Sequence, residues 1–198
     1  MTPQVGCAGL FGKLPARGDF VRNGLPGSFV APWDAWLQAG LAASHVRLGE
    51  DWLPAWLQAP VWRFALAPGV CGPDAAIGVM LPSVDRVGRY FPLTLAALFP
   101  PDSATATPDD IAAWLDTAEA AGLAALERDA TQEQVAALLP PAPAVGKILF
   151  AGSQWWTDGG PHVAAALWRR PGLPAADDFS ALLRDPASDD FVEALSAE

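Results

Sequence analysis

Between Ala31 and Ser44 the positions Trp33, Trp36, Leu37, Gly40, Leu41 and Ser44 recur at the i, i+3, i+4, i+7 spacing of one helical face, and Pro32 suits a first turn. The spacing predicts a helix over about 32–44. Trp52 with Trp56 and Leu53 with Leu57 stand four apart and predict a shorter helix over about 51–58, closed by Pro60. Both helices are expected to lay indoles on a sheet. The period then changes: Val61–Leu66, Ala76–Leu81 and Phe91–Leu98 are short apolar runs bounded by Pro and Gly, the pattern of buried strands. The connections between them, Ala67–Ala75 and Pro82–Tyr90, are too short for crossover helices, so the three runs are expected to form an antiparallel meander at the sheet centre.

Further along, Thr107, Pro108, Asp109 and Asp110 combine a hydroxyl cap, a proline at the first helical position and carboxylates at the positive helix end. A helix to about 128 is expected, with Ile111, Trp114, Leu115, Ala118, Gly122 and Leu126 inward. Thr131 and Gln134 have capping-box spacing for another helix, which must end before the linker of Pro140, Pro141 and Pro143. Lys147–Ala151 and Val163–Trp168 read as two further strands around a Gly152–Pro161 loop, and Val5–Phe11 as an edge strand. Two short acidic helical segments are expected near 177–184 and 188–196, docked through Phe179, Leu182, Leu183, Phe191 and Leu195 but peripheral. The fold class expected is α/β: a three-layer α/β/α sandwich with a mixed, partly antiparallel sheet of about five to six strands. Residues 1–170 are expected to form a single domain and 171–198 an acidic helical segment packed on it.

Composition supports a real interior. In 198 residues, 52% are hydrophobic and 17% charged, with nine Trp and nine Phe, which excludes global disorder. Twelve basic against 22 acidic residues give a net charge of -10, which repels nucleic acid and anionic lipid. The charge is uneven: residues 1–100 carry seven basic and six acidic residues, and 101–198 carry five and sixteen. Any surface that attracts anions is therefore expected in the first half. Cys7 and Cys71 cannot form a disulfide framework and are expected to be reduced thiols. The N-terminus lacks the pattern of a signal peptide and no run approaches a membrane helix, so a cytoplasmic protein without membrane insertion is expected.

The chemistry of catalysis is thin. His45 and His162 are the only histidines and neither stands beside a cysteine, so no metal centre is expected. Phosphate-loop, dinucleotide and nucleophile-elbow signatures are missing, which leads to the expectation of no enzyme and no cofactor. Three loops are denser in charge and aromatics than a plain surface requires: Gly12–Phe20, Pro82–Pro92 and Gly152–Asp158. From them Arg17, Asp19, Ser83, Asp85, Arg86, Arg89, Trp155 and Trp156 are the candidate partner-binding residues. Each has a plainer reading: an Arg17 to Asp19 turn, an Asp85 that caps its own loop, and indoles used for packing on opposite faces of a strand end. The Arg17-Gly18-Asp19 tripeptide, an integrin motif elsewhere, has no integrin to meet in the cytoplasm.

The run Gly9-Leu10-Phe11-Gly12-Lys13-Leu14-Pro15, with Arg17-Gly18-Asp19-Phe20, Pro32-Trp33-Asp34, Trp36-Leu37-Gln38, Trp62-Arg63-Phe64, Pro82 to Arg89 and Gly152-Ser153 before Trp155-Trp156, resembles the TagF family, also called ImpM, of type VI secretion accessory proteins. The resemblance spans about residues 8–170. It implies a cytoplasmic, non-catalytic repressor that holds the secretion apparatus off after translation, in part by engaging a forkhead-associated scaffold protein. Some relatives are fused to a metal-dependent serine/threonine phosphatase domain, for which this chain has no room, and the family supplies no catalytic residues. Two other readings stay open: a structural accessory component of the apparatus, and a small-anion sensor built on Arg17, Asp85, Arg86 and Arg89. Oligomeric state is not legible.

Overall fold

Short apolar runs pair into one sheet in the computed structural model of the chain, which describes residues 6–99, 108–143 and 151–186. Its strands are β1 (Cys7–Gly12), β2 (Val21–Asn23), β3 (Trp62–Leu66), β4 (Ala75–Leu81), β5 (Leu93–Phe99), β6 (Ser153–Thr157) and β7 (Ala166–Arg170). They lie in the order β2, β1, β5, β4, β3, β6, β7, and every pairing is antiparallel. The meander of β3, β4 and β5 sits at the centre, as the short connections require. Two parts of the sheet expectation are corrected: the strands number seven rather than five to six, and the sheet is antiparallel rather than mixed.

The stretch expected as an edge is β1, one place in; β2 takes the edge and, at three residues, is too short to leave a periodic signal. The strand expected over Lys147–Ala151 falls largely on residues 144–150, outside the described residues, and Ala151 is not in a strand. The strand β6 instead forms inside the stretch expected to be a loop. Ser153, Trp155 and Thr157 are buried on one side, with Gln154 and Trp156 half-buried on the other. Because neither face is left to water, polarity does not alternate and the strand is hard to see in sequence.

The helices are α1 (Gly27–Leu48), α2 (Trp52–Leu57), α3 (Pro108–Glu127) and α4 (Gln132–Leu138). The first starts five residues before its expected boundary, with Pro32 inside it. That proline forgoes the amide bond to the carbonyl four residues earlier. Burial of Phe29 and Val30 in the preceding turn offsets the loss, since packing of an apolar face rather than local preference sets most helix limits. In α4 the capping box forms as its spacing predicts, with Thr131 and Gln134 exchanging side-chain and backbone bonds. The Thr107 cap expected for α3 lies outside the described residues.

The buried side chains fall into two clusters. One gathers residues of α1, α2 and a 3-10 helix at Ala176–Leu182; the other gathers residues of α3 and α4. Seven of the nine indoles belong to the first cluster, and Trp114 and Trp156 to the second. Arg63 of β3 reaches Asp116 and Glu119 of α3 at 2.8 Å each, which pins α3 to the sheet. Cys7 is half-buried and Cys71 buried, both as free thiols. Burial pushes the Cys71 thiol up to about 12, so it packs as an apolar side chain and not as a nucleophile. Among the described residues, no helix is long and apolar enough to cross a membrane.

The chain after Pro171 departs from expectation. Rather than lying at the periphery, Phe179, Leu182 and Leu183 are buried within the larger cluster. Two indoles from other elements donate to this segment: Trp36 Nε1 to the Pro174 carbonyl at 2.8 Å and Trp62 Nε1 to the Leu182 carbonyl at 2.9 Å. Gly40 of α1 leaves the space that the Phe179 ring fills; a Cβ at that position would stand 2.3 Å from the ring. The second acidic segment, with Phe191 and Leu195, lies outside the described residues.

Candidate functional site

At the C-terminal end of β1 the chain passes so close to β5 that a Cβ on Gly12 would stand 2.0 Å from the Pro92 carbonyl oxygen, and Gly12 itself takes φ +135°. Only glycine fits there. The pairing of Gly12 with Leu93 brings the loop after β1 against the loop that joins β4 to β5. The contact is ionic. Lys13 Nζ donates to Asp85 Oδ2 at 2.6 Å, with the two side chains 6% and 0% exposed.

Asp85 is fully subscribed. Its Oδ1 accepts from the amides of Val87 at 3.0 Å and Arg89 at 2.9 Å, and Oδ2 also accepts from Arg89 Nε at 2.7 Å. Burial by itself would push this carboxyl up, but the bonds from Lys13, Arg89 and Val87 outweigh it and hold the group well below the usual carboxylate range. Further bonds join the loops: Ser83 Oγ donates to the Lys13 carbonyl at 2.8 Å, the Arg86 amide to the Arg17 carbonyl at 2.9 Å, and the Arg89 guanidinium to the Gly18 carbonyl. The two loops are therefore one rigid unit.

Of the candidate residues, Ser83 and Asp85 are buried and hold this unit together. Arg89 is exposed along much of its side chain yet anchored at its head, so it positions the loops and is not a free cation. Arg17, Asp19 and Arg86 are exposed. They line an open cleft of about 630 Å³ together with Phe20 and with Thr131 and Gln132 at the start of α4. Neither Arg17 nor Arg86 forms an ion pair among the described residues. The two indoles do not join the site. Trp155 is fully buried, parallel to Trp33 at 5.9 Å, and donates to Ser153 Oγ. It offers no surface to a partner. Trp156 is half-buried in a separate hollow beside Arg63 and Glu119.

Two residues of the site escaped the sequence reading. Lys13 looks like an ordinary surface lysine; its signal is its place between Gly12 and Leu14 at the end of an apolar strand. Phe20 is 50% exposed although its ring stacks on Phe11 at 5.7 Å and meets Phe91 edge-on at 4.8 Å. Lys13 Nζ lies 5.1 Å from the same ring.

The family model described as the TagF N-terminal domain, type VI secretion system-associated, matches residues 9–140, a span that includes both loops and α4. The chain belongs to the TagF family. A crystal structure of PA0076 from Pseudomonas aeruginosa PAO1 is similar to it at 38% sequence identity with a TM-score of 0.73, covering 89% of this chain and 94% of that one. No curated protein matches the chain. In this TagF-family chain the family match ends before β6, whereas the structural likeness covers a larger share of the chain.

Proposed function

We propose that this TagF-family chain is a cytoplasmic, non-catalytic repressor of a type VI secretion system, acting after translation by binding a forkhead-associated scaffold protein. The observation that carries the reading is the pair of exposed arginines, Arg17 and Arg86, held on loops that the buried Lys13 to Asp85 pair has already ordered. A preorganised loop loses little freedom on binding. Arginine is also the charged residue most often found as an interface anchor, with truncation costs of about 2 kcal/mol or more. We read the accompanying fold as a three-layer α/β/α sandwich, supported by the two clusters carried by α1 with α2 and by α3 with α4.

Arg86→Glu is the direct test. Its side chain is exposed and forms no ion pair among the described residues, so stability should move by about 0.5 kcal/mol or less. Capture of the scaffold in a quantitative pull-down should fall about tenfold or more, equivalent to about 1.4 kcal/mol. In cells, secretion should rise when the gene is removed, and the variant should fail to restore repression. Stoichiometric co-sedimentation of the chain with assembled apparatus would instead make it a structural component.

A further inference from the structure

We infer that the outer edge of β7 takes an extended segment of a partner protein as an eighth strand, and that this segment sets a carboxylate opposite Arg169 and an apolar side chain opposite Leu167. The surface lies five strands across the sheet from β1, apart from the arginine-bearing loops, so it goes beyond the repressor reading and does not rest on it. The backbone makes the site. Among the described residues, no strand pairs with β7 on the side away from β6. The Ala67 amide donates to the Gly152 carbonyl at 2.9 Å, which extends the ladder of β3 with β6 beyond the pair of Leu66 and Ser153. Bonded and non-bonded pairs alternate along an antiparallel ladder, so Gln154 and Trp156 bond toward β3, and Ser153, Trp155 and Thr157 bond toward β7. Their partners Arg170, Trp168 and Ala166 spend their backbone groups on β6, which leaves those of Leu167 and Arg169 facing outward. The Arg169 carbonyl accepts from Nη1 of the adjacent Arg170 at 3.1 Å, a bond that an incoming amide can replace.

Side chains choose the occupant. Leu167, 57% exposed, and Arg169 share one face of β7, while Trp168 and Arg170 share the other, where Trp168 packs on Trp62 at 4.7 Å. Arg170 is engaged, over the Trp168 ring and with Asp178 at 3.9 Å. Arg169 forms no ion pair among the described residues, and its neighbour across the ladder is Gln154. On its side of the sheet, Asp116 and Glu119 are bound to Arg63, and Asp158 lies past Thr157, at the opposite end of the strand pair. A carboxylate on a facing strand would meet Arg169 well inside the screening length of about 8 Å at physiological salt, so the net charge of -10 spread over the chain opposes it little. A second copy fits worse. Pairing two β7 edges would bring Arg169 and Arg170 of both copies to one seam, and would engage only a few residues a side where a stable interface takes roughly 20–30.

The test uses the full chain and a capped peptide, Thr-Thr-Glu-Val-Val-Thr-Thr, in which the carboxylate and the valine two positions on share one face of a strand, as Arg169 and Leu167 do. Followed by NMR, saturable amide shifts should centre on Leu167 and Arg169, and hydrogen exchange at these two amides should slow only when the peptide is present. Replacing the peptide's glutamate with lysine should weaken binding about fivefold or more. In Arg169→Glu that preference should reverse. Leu167→Pro removes an outward amide and no bond to β6, so it should fold and lose the shifts; should it fail to fold, the reversal in Arg169→Glu decides alone. Equal binding of the two peptides, shifts centred elsewhere, or slow exchange at both amides in the free chain would overturn the inference. Protection that grows with chain concentration, alongside a doubled mass in sedimentation, would give the edge to a second copy and overturn it too. Undiminished scaffold capture by Arg86→Glu, by contrast, counts against the repressor reading alone.

Discussion

Replacing Asp85 with alanine is expected to lower the melting temperature by roughly 6–20 °C. Truncating one partner of a buried ion pair costs about 3–5 kcal/mol, because the other charge is left without compensation, and a domain of this size loses about 2–4 °C per kcal/mol. The stranded group would be the Lys13 ammonium, whose side chain is 6% exposed. The converse change is expected to be milder. In Lys13→Met the carboxylate of Asp85 keeps the Arg89 guanidinium and the amides of Val87 and Arg89, so it remains bonded. Asp85→Ala should therefore cost less in a Lys13→Met background than alone, a coupling that a double-mutant cycle measures. The acid limb carries the same signature. The folded Asp85 carboxyl lies below its ordinary value of about 3.9, so its contribution is complete above that value and is lost as pH falls through the lower, folded one. Thermal melts of the wild type should decline below about pH 4, while the gap between wild type and Asp85→Ala narrows. An Asp85→Ala variant that melts within about 2 °C of wild type would mean the pair adds nothing to stability.

A comparable loss is expected from Phe179→Ala, about 3–5 kcal/mol, as for other fully buried aromatic residues cut to alanine. The more telling variant is Gly40→Ala. In an exposed helix it would stabilise by about 1 kcal/mol. Here the new methyl would stand 2.3 Å from Phe179 Cδ2 and 2.6 Å from Cγ, and the ring, buried on all sides, has nowhere to move. Overpacking of that kind costs about 1–3 kcal/mol, so the sign should reverse and Gly40→Ala should destabilise. Introduced into Phe179→Ala, where the ring is gone, the same substitution should be neutral or stabilising. Urea denaturation of the four proteins measures the cycle. Additive effects would show that the 3-10 helix does not pack on α1 in solution.

What could be read in advance follows from where the chain meets water. The central meander was legible because β3, β4 and β5 are apolar runs bounded by Pro and Gly. The cap of α4 was legible because Thr131 and Gln134 act through local bonds only. The strand β6 was not, since it is polar at Ser153, Gln154 and Thr157 and yet covered on both faces. The central place of Phe179 was hidden by the acidic residues Asp177 and Asp178 beside it, which mark a surface turn while the ring points inward. In the site, Arg17, Asp19 and Arg86 were legible as exposed loop charges. The division of labour was not, because the bond from Lys13 to Asp85 spans 72 positions and only the register of β1 with β5 brings it about. Trp155 was a candidate for exposure only because two adjacent indoles cannot both reveal from sequence which one faces the core.

The unequal distribution of indoles determines what light can report. Intrinsic fluorescence will come chiefly from the seven indoles on the α1 side, several of them in mutual contact, as with Trp33, Trp36 and Trp155. Trp114 and Trp156 supply the rest, and no indole lines the arginine cleft. An emission-based binding assay would thus report the cleft only indirectly, through Trp56 at the root of the 82–92 loop. A melt followed by emission would register loosening of the α1 side together with the root of the 82–92 loop, where Trp56 donates to the Ser83 carbonyl and packs near Tyr90, so a probe attached near Phe20 is the reporter that isolates the cleft.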